Sequence, residues 1–168
     1  MKDSSKHIQA WKNRRRAQKK TFNKFLQNIS KRKNKDLDKT AADLNQKAFS
    51  KINCLDCANC CTSIPPIVTR SDVRRLCKAT GMKEADFTRK YLRQDEDDDW
   101  VMNTTPCLFL LSDNKCSVYE DRPKACRKYP HTDADEFRNN LGLHAGNAHY
   151  CPAVFFILEE MIRIIKNK

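Results

Sequence analysis

Four cysteines packed into eight positions, Cys54, Cys57, Cys60 and Cys61 in the pattern CxxCxxCC, constrain this chain more than any other feature. A two-residue gap lets two thiolates converge on one metal ion while the amides between them point toward the sulfurs. Three cysteines in that register therefore predict a metal site. Adjacent side chains diverge, so Cys60 and Cys61 fit poorly on one tetrahedral ion: one of them ligates a second metal, or stays free for exchange chemistry. Farther along, Cys107, Cys116, Cys126 and Cys151 bring the candidate ligands to eight, enough for two four-ligand sites.

The first three cysteines match the opening of a bacterial ferredoxin motif, but its fourth would fall at Ile64, although Pro65 follows as that motif requires. The ninth cysteine, Cys77, lies on the apolar face of a predicted helix and reads as a small core residue. His149, two residues before Cys151, is placed to replace a thiolate, whereas His131 and His144 stand in polar surroundings and are expected to face solvent. No apolar signal region follows the opening MKDSSKHIQA, and the apolar stretch Ala153 to Leu158 is too short to span a bilayer. The expected address is cytoplasmic, where thiols stay reduced and closely spaced cysteines are better read as metal ligands than as disulfides.

Hydrophobic residues make up 39% of the chain and charged ones 32%, so the apolar core must be small for 168 residues. Thiolates clamped on a metal contribute roughly 10 kcal/mol or more of folding free energy in small domains, which supplies the missing support. The charge is divided unevenly. Residues 1–51 carry 16 Lys or Arg against 4 Asp, and residues 52–168 carry 17 basic against 17 acidic, so the whole net charge of +12 sits in the first third. Two functional parts are implied, a basic, partly helical or disordered arm over 1–51 and a cysteine-cluster metal-binding domain over 52–168. In the arm Ile8, Trp11, Gln18, Phe22, Phe25, Leu26 and Ile29 form a weak helical stripe interrupted by Arg15. It reads as a solvated leader packed through its aromatic residues, or as a surface for nucleic acid or another polyanion. In the second case a cluster such as Arg14, Arg15, Arg16, Lys19 and Lys20 contacts phosphates without selecting sequence.

Local patterns place the remaining elements. Ile64 to Val68, with two prolines, is extended. A helix capped by Ser71 follows, with Val73, Leu76 and Cys77 on one face and Gly81 at its end, and then a second helix over Lys83 to Leu92. Asp95 to Asp99 is an acidic, solvated loop without the spacing of a calcium loop, and it leads into a short strand at Trp100 to Met102. Leu108 to Leu111 and Ser117 to Tyr119 are strand candidates joined by a turn, so that Cys107 and Cys116 flank a hairpin. Thr132 to Asn147 reads as a connecting loop with some helix. A final helix starts at Pro152, carries Phe155, Leu158, Ile162 and Ile165 on one face, and has a basic end at Arg163, Lys166 and Lys168. The expected fold is mainly α with a short β hairpin, a small irregular α+β arrangement stapled by metal.

CxxCxxCC, then Pro106-Cys107-Leu108-Phe109-Leu110, then Cys116-Ser117-Val118-Tyr119-Glu120-Asp121-Arg122-Pro123 with Cys126-Arg127 and Pro130, together resemble the YkgJ-type cysteine-cluster proteins, a zinc- or iron-chelating family. The resemblance runs from Cys54 to Cys151 and leaves the basic arm outside it. It implies metal chelation by cysteines 54, 57, 60, 61, 107, 116, 126 and 151, and no agreed reaction. Flagellin lysine methylases are similar in this motif, with a cysteine cluster accompanying methyl transfer, but their chains carry additional sequence, and no glycine-rich nucleotide loop is found here. Pro123 is expected to stiffen the turn between Cys116 and Cys126, Arg122 and Arg127 to offset thiolate charge, and Tyr119 to donate a hydrogen bond nearby. The reading that follows is a metal-binding protein with an accessory or redox role, holding an iron-sulfur cluster or zinc. Iron fits better, since eight thiols exceed the need of one structural zinc. Two alternatives belong to other classes: an enzyme using the cluster for electron or methyl transfer to a protein substrate, and a zinc-stapled nucleic-acid-binding module.

Overall fold

Long apolar stripes free of Gly and Pro dictate the first two elements. The computed structural model describes residues 4–31, 36–133 and 136–166. Its elements in chain order are α1 (Ser5–Ser30), α2 (Leu37–Lys51), a 3-10 turn (Cys54–Asp56), α3 (Asn59–Ser63), α4 (Arg70–Thr80), α5 (Glu84–Tyr91), β1 (Leu92–Gln94) and β2 (Trp100–Met102). A second 3-10 turn (Tyr119–Asp121), α6 (Lys124–Lys128), α7 (Glu136–Asn139), α8 (Leu141–Tyr150) and α9 (Pro152–Lys166) complete the chain. The fold is mainly α with one two-stranded antiparallel sheet. Residues 1–3, 32–35 and Lys168 of the basic segments lie outside the described residues.

The chain divides into two compact units, one made of Met1–Cys57 with Pro130–Lys168, the other of Ala58–Tyr129. In the first of these units α1 and α2 share their core with α8 and α9. In this first unit α1 buries Ile8, Trp11, Phe22, Leu26 and Ile29. Arg15, which breaks the stripe in sequence, is absorbed: its guanidinium lies 4.5 Å over the Trp11 ring and donates to the His149 carbonyl at 3.0 Å. Trp11 donates its indole N–H to the Ala148 carbonyl at 3.0 Å, and Phe22 meets Phe155 edge to face. In α9, Ala153, Val154, Phe155, Ile157, Leu158 and Met161 are all buried, while Glu159 and Glu160 reach out to Arg14 and Lys47. Segment 132–147, expected as a loop with some helix, forms α7 and the start of α8.

His144, expected to face solvent, is fully buried in α8. It stacks on Phe137 with ring centroids 4.2 Å apart, and its Nε2 is 2.8 Å from the Phe137 carbonyl. Because the carbonyl can only accept, Nε2 carries the proton. Burial pulls its pKa down to about 4, against the smaller upward effect of that hydrogen bond. The folded pKa is below the unfolded one, so the unfolded chain binds the extra proton between the two values. Stability should therefore be complete above about pH 6.5 and fall as the pH drops toward 4, by about 2 kcal/mol between pH 7 and pH 5. Urea unfolding of His144→Gln should lose this part of the pH dependence relative to the parent at equal metal content; equal slopes would refute the assignment.

The second unit is built on the α4–α5 pair. The N-cap of α4 is Thr69 and not Ser71: Thr69 Oγ1 accepts from the Asp72 amide while the Asp72 carboxylate accepts from the Thr69 amide at 2.9 Å. Gly81 ends the helix at φ 68°, a conformation that glycine adopts without steric cost. Phe87 and Tyr91 pack edge to face on α5, as their spacing requires, and Phe109 joins them. Leu92 pairs with Met102 and Gln94 with Trp100. The extended Pro66–Val68 segment lies along β2, with Val68 donating to Trp100 and Met102 donating to Pro66. Asp95 Oδ1 accepts from the amides of Asp97 and Asp99, which folds the acidic loop into a tight turn. The hairpin expected at Cys107 and Cys116 is reduced to one bridge, Leu110 with Cys116, and Tyr119 opens a 3-10 turn rather than ending a strand. The turn that joins the two arms passes through Asn114 at φ 64°, and the Leu111 amide donates to the Lys115 carbonyl while the Ser117 amide donates to the Phe109 carbonyl.

Candidate metal centres

None of the nine cysteines is joined in a disulfide. The CxxCxxCC motif is split by the chain's own division, with Cys54 and Cys57 in the first unit and Cys60 and Cys61 in the second.

In the first unit Cys54 opens the 3-10 turn, and the Cys57 amide closes it onto the Cys54 carbonyl at 3.1 Å. Ser4 holds this turn: buried at the start of α1, its hydroxyl donates to Asp56 at 2.6 Å and accepts from the Asn53 amide at 2.8 Å. Cys151 stands just before α9, where the amides of Ala153 and Val154 donate to its sulfur. Burial pushes its thiol up to about 12, and the neighbouring Cys54 and Cys57 add to the rise. Cys151, far from Cys54 and Cys57 in sequence, thus shares one neighbourhood with them.

The second unit gathers Cys61, Cys107, Cys116 and Cys126. Burial pushes the Cys126 thiol up to about 12, and Cys107, Cys61 and Cys116 push in the same direction. Cys107 and Cys116 are raised by burial and by Cys61 in turn. The backbone is arranged for sulfur. Amides of Phe109 and Leu110 donate to Cys107, and that of Val118 donates to Cys116, while the Cys107 amide donates to the Cys61 carbonyl at 2.8 Å. Cys60 Sγ lies 3.9 Å from Cys61 Sγ, and this contact lowers the Cys61 thiol to about 7 despite burial. Cys61 is thus the thiol of this set nearest to ionisation at neutral pH. Cys107 and Cys116 come together as the expected hairpin would have brought them, although the strands are missing.

Arg122 is the cation of this site, and its charge favours the thiolate forms of both Cys116 and Cys126. It is held by stacking 3.7 Å over the Tyr119 ring and by donating to the Tyr119 carbonyl at 2.6 Å. Tyr119, 57% exposed, serves as that platform. Arg127 donates to the Arg122 carbonyl at 3.1 Å, so it braces the turn. Pro123 caps α6 from a buried position, as a turn stiffener should. Asp72 suits the positive end of α4 by sequence, but its tie to the site was missed: its buried carboxylate accepts from the Lys124 amide at 3.0 Å and thereby fixes the start of the helix that carries Cys126. The spacing Thr69-x-x-Asp72 was a legible capping signal for it.

Cys77, read from the sequence as a core residue, and His149, read as a possible substitute for a thiolate, both stand apart from the two sets. Cys77 is buried among Val73, Leu76 and Phe87. His149 is lowered by burial and then by Arg15, Lys19 and Arg16, a cationic setting that opposes a metal ion.

The donor chemistry fits zinc or iron: soft sulfur ligands, amides aimed at several of them, and one arginine offsetting their charge. Among the described residues no three Cys, His, Asp or Glu side chains are placed so that they could hold an ion as they stand, so the two sets are neighbourhoods of thiols and not closed coordination shells. No helix among the described residues is long and apolar enough to cross a membrane. No curated protein and no solved structure matches the chain. A family model does match over residues 53–152, more than half of the sequence and spanning all eight candidate cysteines. The match covers the CxxCxxCC opening and the cysteines that follow it, and the chain accordingly belongs to the CxxCxxCC family, described as a zinc- or iron-chelating domain.

Proposed function

We propose that the protein holds metal at two thiolate centres, one in each unit, and serves an accessory or redox role in a reducing, cytoplasmic setting. The observation that carries this is the partition of the cysteines: Cys61, Cys107, Cys116 and Cys126 act on one another, and Cys151 is acted on by Cys54 and Cys57. Four thiolates complete the coordination of a zinc ion or of an iron-sulfur cluster, which suits a structural centre. Three thiolates leave a position open, which suits electron transfer or the handing on of metal. Iron remains the better fit, because an iron-sulfur cluster uses three or four thiolates at each centre. Cys60 serves Cys61, as the neighbour whose contact favours the thiolate. The raised thiols must lose protons when metal binds, so binding should release protons and weaken as the pH falls.

The test is metal analysis with electron paramagnetic resonance on protein purified without oxygen. Cys116→Ser should lose the metal of the second unit and keep that of the first, and Cys57→Ser should do the reverse. Cys77→Ser should keep both. Absence of transition metal from the parent, or loss of all metal in either ligand variant while the fold persists, would refute the two-centre reading.

A further inference from the structure

Helix α1 carries eight cations and no acidic residue between Ser5 and Ser30. Two are used inside the fold: Arg14 pairs with Glu159 and Arg15 lies on Trp11. Lys6, Lys12, Arg16, Lys19, Lys20 and Lys24 are left, all six exposed, and among the described residues none of them has an ion-pair partner. Lys12, Arg16, Lys20 and Lys24 follow one another at i, i+4, a spacing at which like charges oppose helix formation. The fold gains nothing from that repulsion, and an anionic partner would remove it.

The order of residues around the helix narrows the partner. Lys12 and Lys19 lie on one flank, and Lys6, Lys20 and Lys24 on the other, about 110° away around the axis. Between the flanks run Gln9, Arg16, Asn23 and Gln27, side chains able to donate to and accept from base edges, or, for arginine, to grip guanine. Cations from Lys6 to Lys24 extend over about 27 Å of a helix roughly 10–12 Å across. That is the shape of a B-form major groove, about 12 Å wide with phosphates on both walls. A membrane fits less well, because the apolar side that a surface-lying helix would insert is already spent on the core through Trp11, Phe22, Leu26 and Ile29. The major groove of duplex RNA is too deep and narrow to admit a helix.

We propose that the outer face of α1 is a binding surface for duplex DNA, with the flanking lysines on the phosphate walls and Gln9, Arg16, Asn23 and Gln27 toward the base edges. It differs from a mere phosphate contact by arm charge in that a groove, and not charge density alone, is recognised.

The metal-loaded, full-length protein should bind a 20-base-pair DNA duplex with affinity falling on the order of 100-fold between 50 and 200 mM salt, as about four phosphate contacts require. Changing Lys12, Arg16, Lys20 and Lys24 together to Gln should weaken binding at least 100-fold at low salt while leaving thermal stability equal or higher, since the repulsive series is gone. Changing the three lysines to Arg should preserve binding. A salt-independent affinity, an unaltered affinity in the Gln variant, or binding as tight to duplex RNA or to phosphatidylserine vesicles would each overturn the proposal.

Discussion

Chelating the metal under anaerobic conditions is expected to unfold residues 58–129 while leaving α1, α2, α8 and α9 folded. The reason is the disparity between the two cores. The second unit buries Val68, Val73, Leu76, Cys77, Phe87, Leu92, Met102 and Phe109, small provision for a segment with only short helices and two three-residue strands. The first unit has a continuous core running through four helices, from Trp11 and Phe22 to Leu158 and Met161, that includes none of its thiols among its fully buried members. A metal held by four cysteines contributes about 10 kcal/mol or more to a small fold, as large as the whole stability of an ordinary domain. Without it, the loops of Cys107, Cys116 and Cys126 are held by the Phe109 side of the core and a few hydrogen bonds, such as that of the Lys124 amide to Asp72 and that of the Cys107 amide to the Cys61 carbonyl. Hydrogen exchange should show protection lost at α4 and α5 and kept in α9. Full protection of α4 and α5 in demonstrably metal-free protein would show that burial alone suffices, and that metal in this unit has no structural part.

Local chemistry was legible wherever one residue type decides the conformation. Gly81 ends α4, Pro152 starts α9, Pro65 and Pro66 keep their segment extended, and Phe87 meets Tyr91, each as the sequence implies. The mainly α class follows from the same signals. What failed were inferences from polarity alone. His144 sits in a polar stretch yet is buried, because Phe137 offers both a ring to stack on and a carbonyl to accept its proton, and no periodicity announces such a pair. In the basic arm charges outnumber apolar residues, and five well-spaced side chains still suffice to bury one side of a 26-residue helix. The eight ligand candidates were visible as a set, and their partition was not. It depends on Cys151 returning beside Cys54 and Cys57 through α8 and α9, a long-range consequence of helix packing that adjacent spacing in CxxCxxCC obscures.

Asp72→Ala should be among the most damaging single substitutions outside the cysteines, costing about 3 kcal/mol. This carboxylate is fully buried and is the meeting point of four donors: the Thr69 amide at 2.9 Å, the Thr69 hydroxyl at 2.6 Å, the Lys124 amide at 3.0 Å and the Arg75 guanidinium. Burial by itself would raise its pKa, but the hydrogen bonds from Thr69, Arg75 and Lys124 outweigh that and hold the carboxyl below its usual value. Its folded pKa is thus below the unfolded one, so its contribution is complete above about pH 4 and is lost as the pH falls through the folded value. Removing it takes the reciprocal half of the capping box from α4, leaving the Thr69 amide without its acceptor, and strips the partly buried Arg75 and the Lys124 amide of their shared carboxylate, each loss worth about 1 kcal/mol or more. Asp72→Asn keeps a cap acceptor but loses the charge facing Arg75, and should lie between the alanine variant and the parent. The second consequence reaches the metal site. With Lys124 released, the first turn of α6 loosens, and Cys126 should be alkylated faster in the metal-free variant than in the metal-free parent, whereas Cys77, held by its own core, should not. Equal alkylation of Cys126, or a loss below 1 kcal/mol in urea unfolding, would mean that α6 is held by its own contacts and that Asp72 does no more than cap α4.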